Sequence, residues 1–183
     1  MIKPKTRPAK TTNERMIKVN HAGENGAVSI YRAQSWMVRW RTPKLLPQIL
    51  ENLTHEKQHR EIFKAYLAKR NIRRCVSYHL CGIGGTFLGL VTGIIGGKAI
   101  AATTYAVESV VLQHLETQLA YLQIHDLEAY EAVCLIIADE QAHHDQALLA
   151  LKGTNFWTRG IIKIVRLSTE FVIRFGMRSP LKN

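Results

Sequence analysis

The chain has 183 residues, a length that suits one domain with a buried core. A hydrophobic share of 46% excludes wholesale disorder, and three cysteines exclude a disulfide-stapled scaffold. The formal net charge of +11 calls for an anionic surface, and no zinc-finger spacing or RNP-like aromatic motif points to nucleic acid. Cys75, Cys81 and Cys134 form no C-x-x-C pair, so they read as reduced thiols in an intracellular compartment, packed as small core residues.

The N-terminal stretch M-I-K-P-K-T-R-P-A-K-T-T-N has no apolar h-region, so it is not a secretory signal. It reads as a flexible basic tail over residues 1–13, with a trimmed organelle-targeting segment as the alternative. From Asn13 to about Trp40, apolar residues recur three and four apart, which predicts a helix. Arg41-Thr42-Pro43 breaks it, because proline disfavours helix in the residue before it. A second helix is expected from about Lys44 to Lys69, then a basic loop, Asn71-Ile72-Arg73-Arg74.

Leu80 to Gly97 is eighteen residues without a charge, the length at which a membrane span is considered. Seven of these residues are glycine, and Gly85, Gly89, Gly93 and Gly97 lie four apart on one small-residue stripe. A packed crossover helix over 79–97, or one dipped into a membrane interface, fits better than a full span. Another helix is expected from about Lys98 to Gln123, a turn at His125-Asp126, and a further helix from Leu127 to Leu151, ended by Gly153. The last runs from about Thr154 to Arg178. It interleaves Arg159, Lys163, Arg166, Arg174 and Arg178 with Ile162, Val165, Phe171, Val172 and Phe175, as a basic amphipathic helix at a membrane surface does. No strand alternation is visible. The expectation is an all-α domain over 14–178, with hairpins at about 14–69 and 98–151.

Only two E-x-x-H tetrads occur, Glu56 to His59 and Glu140 to His143. On a helix, positions i and i+3 share a face, so each pair can reach one metal ion. Alone, either tetrad is a weak signal; the spacing adds the rest. Glu24 precedes Glu56 by 32 residues, Glu108 precedes Glu140 by 32, and the two sets are offset by 84. Each pair is centred on a helix break, so in each hairpin both glutamates sit about 24 Å from the turn. One Glu and one E-x-x-H per hairpin is the ligand inventory of ferritin-like dimetal carboxylate bundles. Without metal, four buried carboxylates would be severely penalised. Oxygen and imidazole donors suit iron, with manganese as the alternative. Asp139, beside Glu140, can accept the free N–H of the opposite His59. His21, three residues before Glu24, shares its face and is a candidate outer partner.

V-N-H-A-G-E-N-G-A around Glu24, Y-A-V-E-S around Glu108 and D-E-Q-A-H-H-D around Glu140 resemble the demethoxyubiquinone hydroxylases of ubiquinone biosynthesis, over about Arg15 to Met177. The resemblance implies a ferritin-like four-helix bundle with two additional membrane-associating helices. It implies two iron ions held by Glu24, Glu56, His59, Glu108, Glu140 and His143, with Glu56 and Glu140 bridging. It further implies O₂ as co-substrate, NADH as reductant, a polyprenyl quinone substrate and a lipid-binding protein as partner. A peripheral location follows, on the cytoplasmic face of a bacterial inner membrane or the matrix face of the mitochondrial one.

Some relatives carry tyrosine where this chain has Leu115, so no redox tyrosine is assigned there. Tyr105, one turn before Glu108, is the lesser candidate, with core packing as its plainer reading. His144 and His114 read as hydrogen-bonding groups rather than ligands, and His55 has no assigned role. Trp36, Trp40 and Trp157 read as packing or interface anchors. Quinol oxidase, peroxidase, iron storage and a non-enzymatic membrane scaffold are the competing functions, and a homo-oligomer is compatible with all.

Overall fold

Thr11 starts the first helix. Its hydroxyl accepts the Glu14 N–H at 3.3 Å, while the Glu14 carboxylate accepts the Lys10 N–H at 2.7 Å. In this computed structural model, which describes residues 6–153 and 155–178, six α-helices follow one another. They are α1 (Thr12–Arg41), α2 (Leu46–Lys69), α3 (Tyr78–Ile95), α4 (Gly97–His125), α5 (Leu127–Ala150) and α6 (Phe156–Arg178). The chain is all-α; the one β feature among the described residues is an isolated bridge between Arg7 and Ile72.

That bridge corrects the expectation of a flexible tail over 1–13. The Arg7 N–H donates to the Asn71 carbonyl at 2.7 Å, and the Arg73 N–H donates to the Arg7 carbonyl at 2.8 Å. The Arg7 guanidinium also pairs with Glu14, and Ala9 is buried. Residues 6–11 are therefore docked against the loop after α2, where Asn71 adopts a left-handed backbone (φ 53°) that asparagine tolerates. Residues 1–5 lie outside the described residues.

α1 and α2 form one hairpin through a 3₁₀ turn at Pro43–Leu45; α4 and α5 form the other, turning at Asp126. The Asp126 carboxylate caps α5 by accepting the Ala129 N–H at 3.1 Å. It also accepts from Tyr66 Oη at 2.7 Å and Asn13 Nδ2 at 2.5 Å. The turn of the second hairpin thus lies at the open end of the first. At the opposite pole, Gln48 of α2 donates to Gln146 of α5 at 3.0 Å. The hairpins run in opposite senses, and Phe63, Leu115, Leu122, Val133 and Ile136 fill the core between them.

α3 lies along α1 on its glycine side. A Cβ on Gly85 would strike the Gly26 carbonyl oxygen, and one on Gly89 the Ile30 carbonyl oxygen. Across this contact the buried Gln34 Nε2 donates to Thr92 Oγ1 at 3.0 Å. The stripe is shorter than expected: Gly96 (φ 116°) ends α3, so Gly97 begins α4. Because backbone rather than side chain would have to yield, Gly89→Ala is expected to destabilise the protein by about 1–3 kcal/mol, the cost of overpacking. A denaturant titration checks this, and an unchanged midpoint would mean that α3 is not seated on α1.

The other side of α3 is open, with Ile83 71% and Phe87 70% exposed. The helix is long and apolar enough to cross a membrane by length and composition, and 22% of that stretch is buried. α6 packs mainly on α4 and leaves Ile164, Leu167, Phe171 and Phe175 exposed beside it. Trp36, Trp40 and Trp157 are exposed rather than packed. Cys134 is exposed too and corrects its reading as a core residue, whereas Cys75 is buried.

Candidate metal centre

α1, α2, α4 and α5 each carry ligand-type side chains to one buried place between them. Glu24, Glu56, His59 and Glu140 offer ligand atoms that lie within 4.8 Å of one another. Glu56, Glu108, Glu140 and His143 form a second such group, and Glu56 and Glu140 belong to both. All six residues are buried. The opposed hairpins explain the convergence. α1, with 30 residues, is about 45 Å long, so a residue 24 Å from its turn stands near mid-height whichever way the hairpin points.

Both histidines aim Nδ1 inward and Nε2 outward. His59 Nδ1 is 3.0 Å from Glu140 Oε1, and His143 Nδ1 is 3.2 Å from Glu56 Oε1. Yet neither Nδ1, nor either Glu56 oxygen, is aligned for a hydrogen bond. Buried polar atoms are normally satisfied. Polar atoms that crowd a common point without hydrogen bonds are what a cation between them would organise, so the residues present fit a metal centre.

The electrostatics agree. Burial, reinforced by the charges of Glu140 and Glu56, pushes the Glu24 and Glu108 carboxyls well above their usual range. Burial would raise Glu56 too, but contact with His143 and the charge of His59 holds it below the usual value. Burial pulls His59 down, but the adjoining Glu140, Glu56 and Asp139 carboxylates lift it to about 9. His143 is raised against burial by Glu56 and Glu140. Without a cation the cluster therefore holds protons in its place.

Around the cluster, Asp139 Oδ2 lies 3.1 Å from His59 Nε2, the contact expected of it. His21 does not reach the cluster. It is buried, stacks on Tyr78 with ring centroids 4.8 Å apart, and neither ring nitrogen has a hydrogen-bond partner. Burial and the nearby Arg74 and Arg60 charges lower it to about 4, which keeps it neutral. Tyr105 also points elsewhere: its ring packs 4.9 Å from the His144 ring, and His144 Nδ1 meets Asp145 at 2.8 Å. The tyrosine at the cluster is Tyr31. Its hydroxyl is 3.4 Å from Glu108 Oε1 and 3.4 Å from Thr104 Oγ1, and burial with the Glu108 charge raises it well above its ordinary value. Tyr31 falls within the apolar repeat of α1. The signal was its position two turns after Glu24, on the same face.

A cavity of about 460 Å³ opens onto the cluster. Glu24, Glu56, Glu108 and Glu140 form its buried end, and exposed apolar residues of α3 and α6 such as Phe87 and Ile164 line it further out. His114 also lines it, held by Glu170 of α6 at 2.8 Å. The two glycines beside Glu24 serve different ends. Gly26 packs against α3, where a Cβ would stand 3.4 Å from the Cys81 Cβ, an ordinary contact. Gly23 lines the cavity, and a Cβ on it would meet nothing within 4 Å.

The chain is 33% identical over 147 residues to "NADPH-dependent 3-demethoxyubiquinone 3-hydroxylase, mitochondrial" of Dictyostelium discoideum, covering 75% of this chain and 67% of that protein. It is 34% identical over 139 residues to the mouse protein of the same name, covering 74% and 63%. A "3-demethoxyubiquinol 3-hydroxylase" of Rhodospirillum rubrum is 29% identical over 132 residues, covering 72% and 62%. The chain thus spans a little under two thirds of the length of most of these relatives. The family described as "Ubiquinone biosynthesis protein COQ7" matches residues 11–176, nearly all of α1 to α6, and the chain belongs to that family.

Proposed function

We propose that the chain is a di-iron monooxygenase that hydroxylates the ring of a demethoxyubiquinol in ubiquinone biosynthesis. The observation that carries this reading is the apolar cavity that ends on four buried glutamates and opens between α3 and α6. In this reading α1, α2, α4 and α5 are a ferritin-like four-helix bundle, and α3 and α6 are the two added helices that meet the membrane. Glu24, Glu56, His59 and Glu140 hold one metal ion; Glu56, Glu108, Glu140 and His143 hold the other, with Glu56 and Glu140 shared. When bound, two iron ions supply the redox chemistry that puts one atom of O₂ on the ring and reduces the other to water.

The chain's own residues position and enclose. The apolar walls from α3 and α6 take an isoprenoid tail and exclude water, while Gly23 leaves room for the ring beside Glu24. The exposed apolar faces of α3 and α6, flanked by Arg159, Lys163 and Arg166, support a peripheral seat on an anionic membrane. That seat is on the cytoplasmic face of a bacterial inner membrane or on the matrix face of the mitochondrial one, and relatives whose names include "mitochondrial" favour a mitochondrial setting. The motif resemblance also points to a lipid-binding protein as partner. The motif resemblance points to NADH as reductant, whereas the relatives' names print NADPH, so a test carries both.

The iron-loaded protein, given demethoxyubiquinone, O₂ and either nucleotide, is expected to form a product about 16 Da heavier, the mass of one inserted oxygen atom, detected by mass spectrometry. Gly23→Phe is expected to cut that turnover by about 100-fold or more, while iron content stays unchanged, because misplacing the ring by an ångström forfeits about that much. Quinol consumption without the heavier product would instead identify a quinol oxidase.

A further inference from the structure

The residue just before each E-x-x-H motif occupies the same place in its hairpin. These residues are His55 and Asp139, offset by the same 84 positions as the ligands. Each reaches the histidine of the other hairpin: Asp139 Oδ2 is 3.1 Å from His59 Nε2, and His55 Nδ1 is 3.2 Å from His143 Nε2. The His55 and His143 rings lie within 12° of parallel, their centroids 5.4 Å apart. The repeat thus preserves the contact but changes its chemistry, with a carboxylate at one copy and an imidazole at the other.

We propose that His55 is the positioning residue for His143, and that the imidazole in place of a carboxylate makes the two metal subsites unequal, the subsite of His59 binding its ion more tightly. This rests on the metal reading of the cluster. An imidazole that ligates through Nδ1 carries its proton on Nε2 and needs an outer acceptor to fix its tautomer and ring plane. At His59 that acceptor is an anion, so the hydrogen bond is charge-assisted and about twice as strong as a neutral one. It makes His59 the more basic donor. At His143 the acceptor is the neutral Nδ1 lone pair of His55, which orients the ring and adds less basicity. The two outer groups do not merge: His55 Nδ1 is 3.9 Å from Asp139 Oδ1, beyond a hydrogen bond, so the carboxylate serves His59. Both side chains reach solvent, His55 at 31% and Asp139 at 40% exposure, so either can be replaced without opening the core.

The test is anaerobic titration of the full chain with ⁵⁷Fe(II), read by Mössbauer spectroscopy and by the affinity of each binding step. The unmodified protein is expected to bind two ions with two resolved quadrupole doublets. His55→Ala is expected to weaken one step by about 10–100-fold and to shift one doublet only, the usual range for loss of an outer partner. His55→Gln, whose amide oxygen can accept from His143, is expected to restore both. His55→Asp is expected to draw the two doublets and affinities together. Two bound ions with spectra and affinities indifferent to His55→Ala, or moved equally at both steps, would overturn this proposal alone. An unmodified protein that binds no iron would overturn the metal reading and this proposal with it.

Discussion

Glu56→Ala or Glu140→Ala is expected to remove both metal ions and all hydroxylation, whereas Glu24→Gln and Glu108→Gln each weaken one subsite. The difference follows from the two overlapping groups, which share only Glu56 and Glu140. Loss of an outer partner weakens a metal site by about 10–100-fold, so loss of a shared ligand is expected to exceed about 100-fold at both subsites. Stability moves differently. Burial already favours the protonated form of Glu24 and Glu108, so glutamine reproduces the neutral group and leaves metal-free stability within about 1 kcal/mol. Iron content by elemental analysis, beside urea unfolding in chelator, separates the two effects. Glu140→Ala that kept two equivalents of iron would end the bridging assignment.

Metal-free and metal-loaded protein are expected to respond to pH in opposite directions. His59 is raised from 6.5 to about 9, so its contribution to folding is complete below pH 6.5 and is lost as pH rises through 9. Glu24, Glu108 and His143 are raised as well, and each adds to the same loss as its proton leaves. Glu56 is lowered, so its contribution is present above 4.5 and fails only in acid. Between pH 6.5 and 9 the metal-free protein is therefore expected to lose on the order of a few kcal/mol. Metal binding must displace those same protons, so affinity grows over this window and stabilisation by a fixed metal concentration grows with it. Thermal unfolding at pH 6.5 and 9, with chelator and with Mn(II), should show the two midpoints diverge. A metal-free midpoint that rose with pH would contradict the protonated cluster.

The helices and the side chains that meet between them were legible in the chain because both are local periodicities. Apolar spacing, the Pro43 break and the Asp126 turn marked the hairpins to within a few residues, and the 84-residue echo paired Glu24 and Glu56–His59 with Glu108 and Glu140–His143. Asp139 was legible for the same reason, as a carboxylate next to a ligand. His55 stands at the equivalent position, but an imidazole beside a carboxylate ligand has no distinctive pattern. Its role appears only when His143 from the other hairpin is 3.2 Å away.

Rotation about each helix axis was beyond reach of spacing. His21 and Tyr105, each three residues from a glutamate, turn out to face Tyr78 and His144, while Tyr31 reaches Glu108. A step of three residues leaves an angular offset that neighbouring helices resolve in either direction, so a shared face is a wide arc and not a contact. The chain by itself thus determined six helices, two equivalent hairpins and six metal-type ligands. Only the tertiary structure decided that the hairpins run opposite ways, that their glutamates meet at mid-height, and that α3 and α6 enclose a cavity above them. Those are contacts between residues far apart in sequence, set by the close approach of Gly85 and Gly89 to α1 and by the shared core, and no local period encodes them.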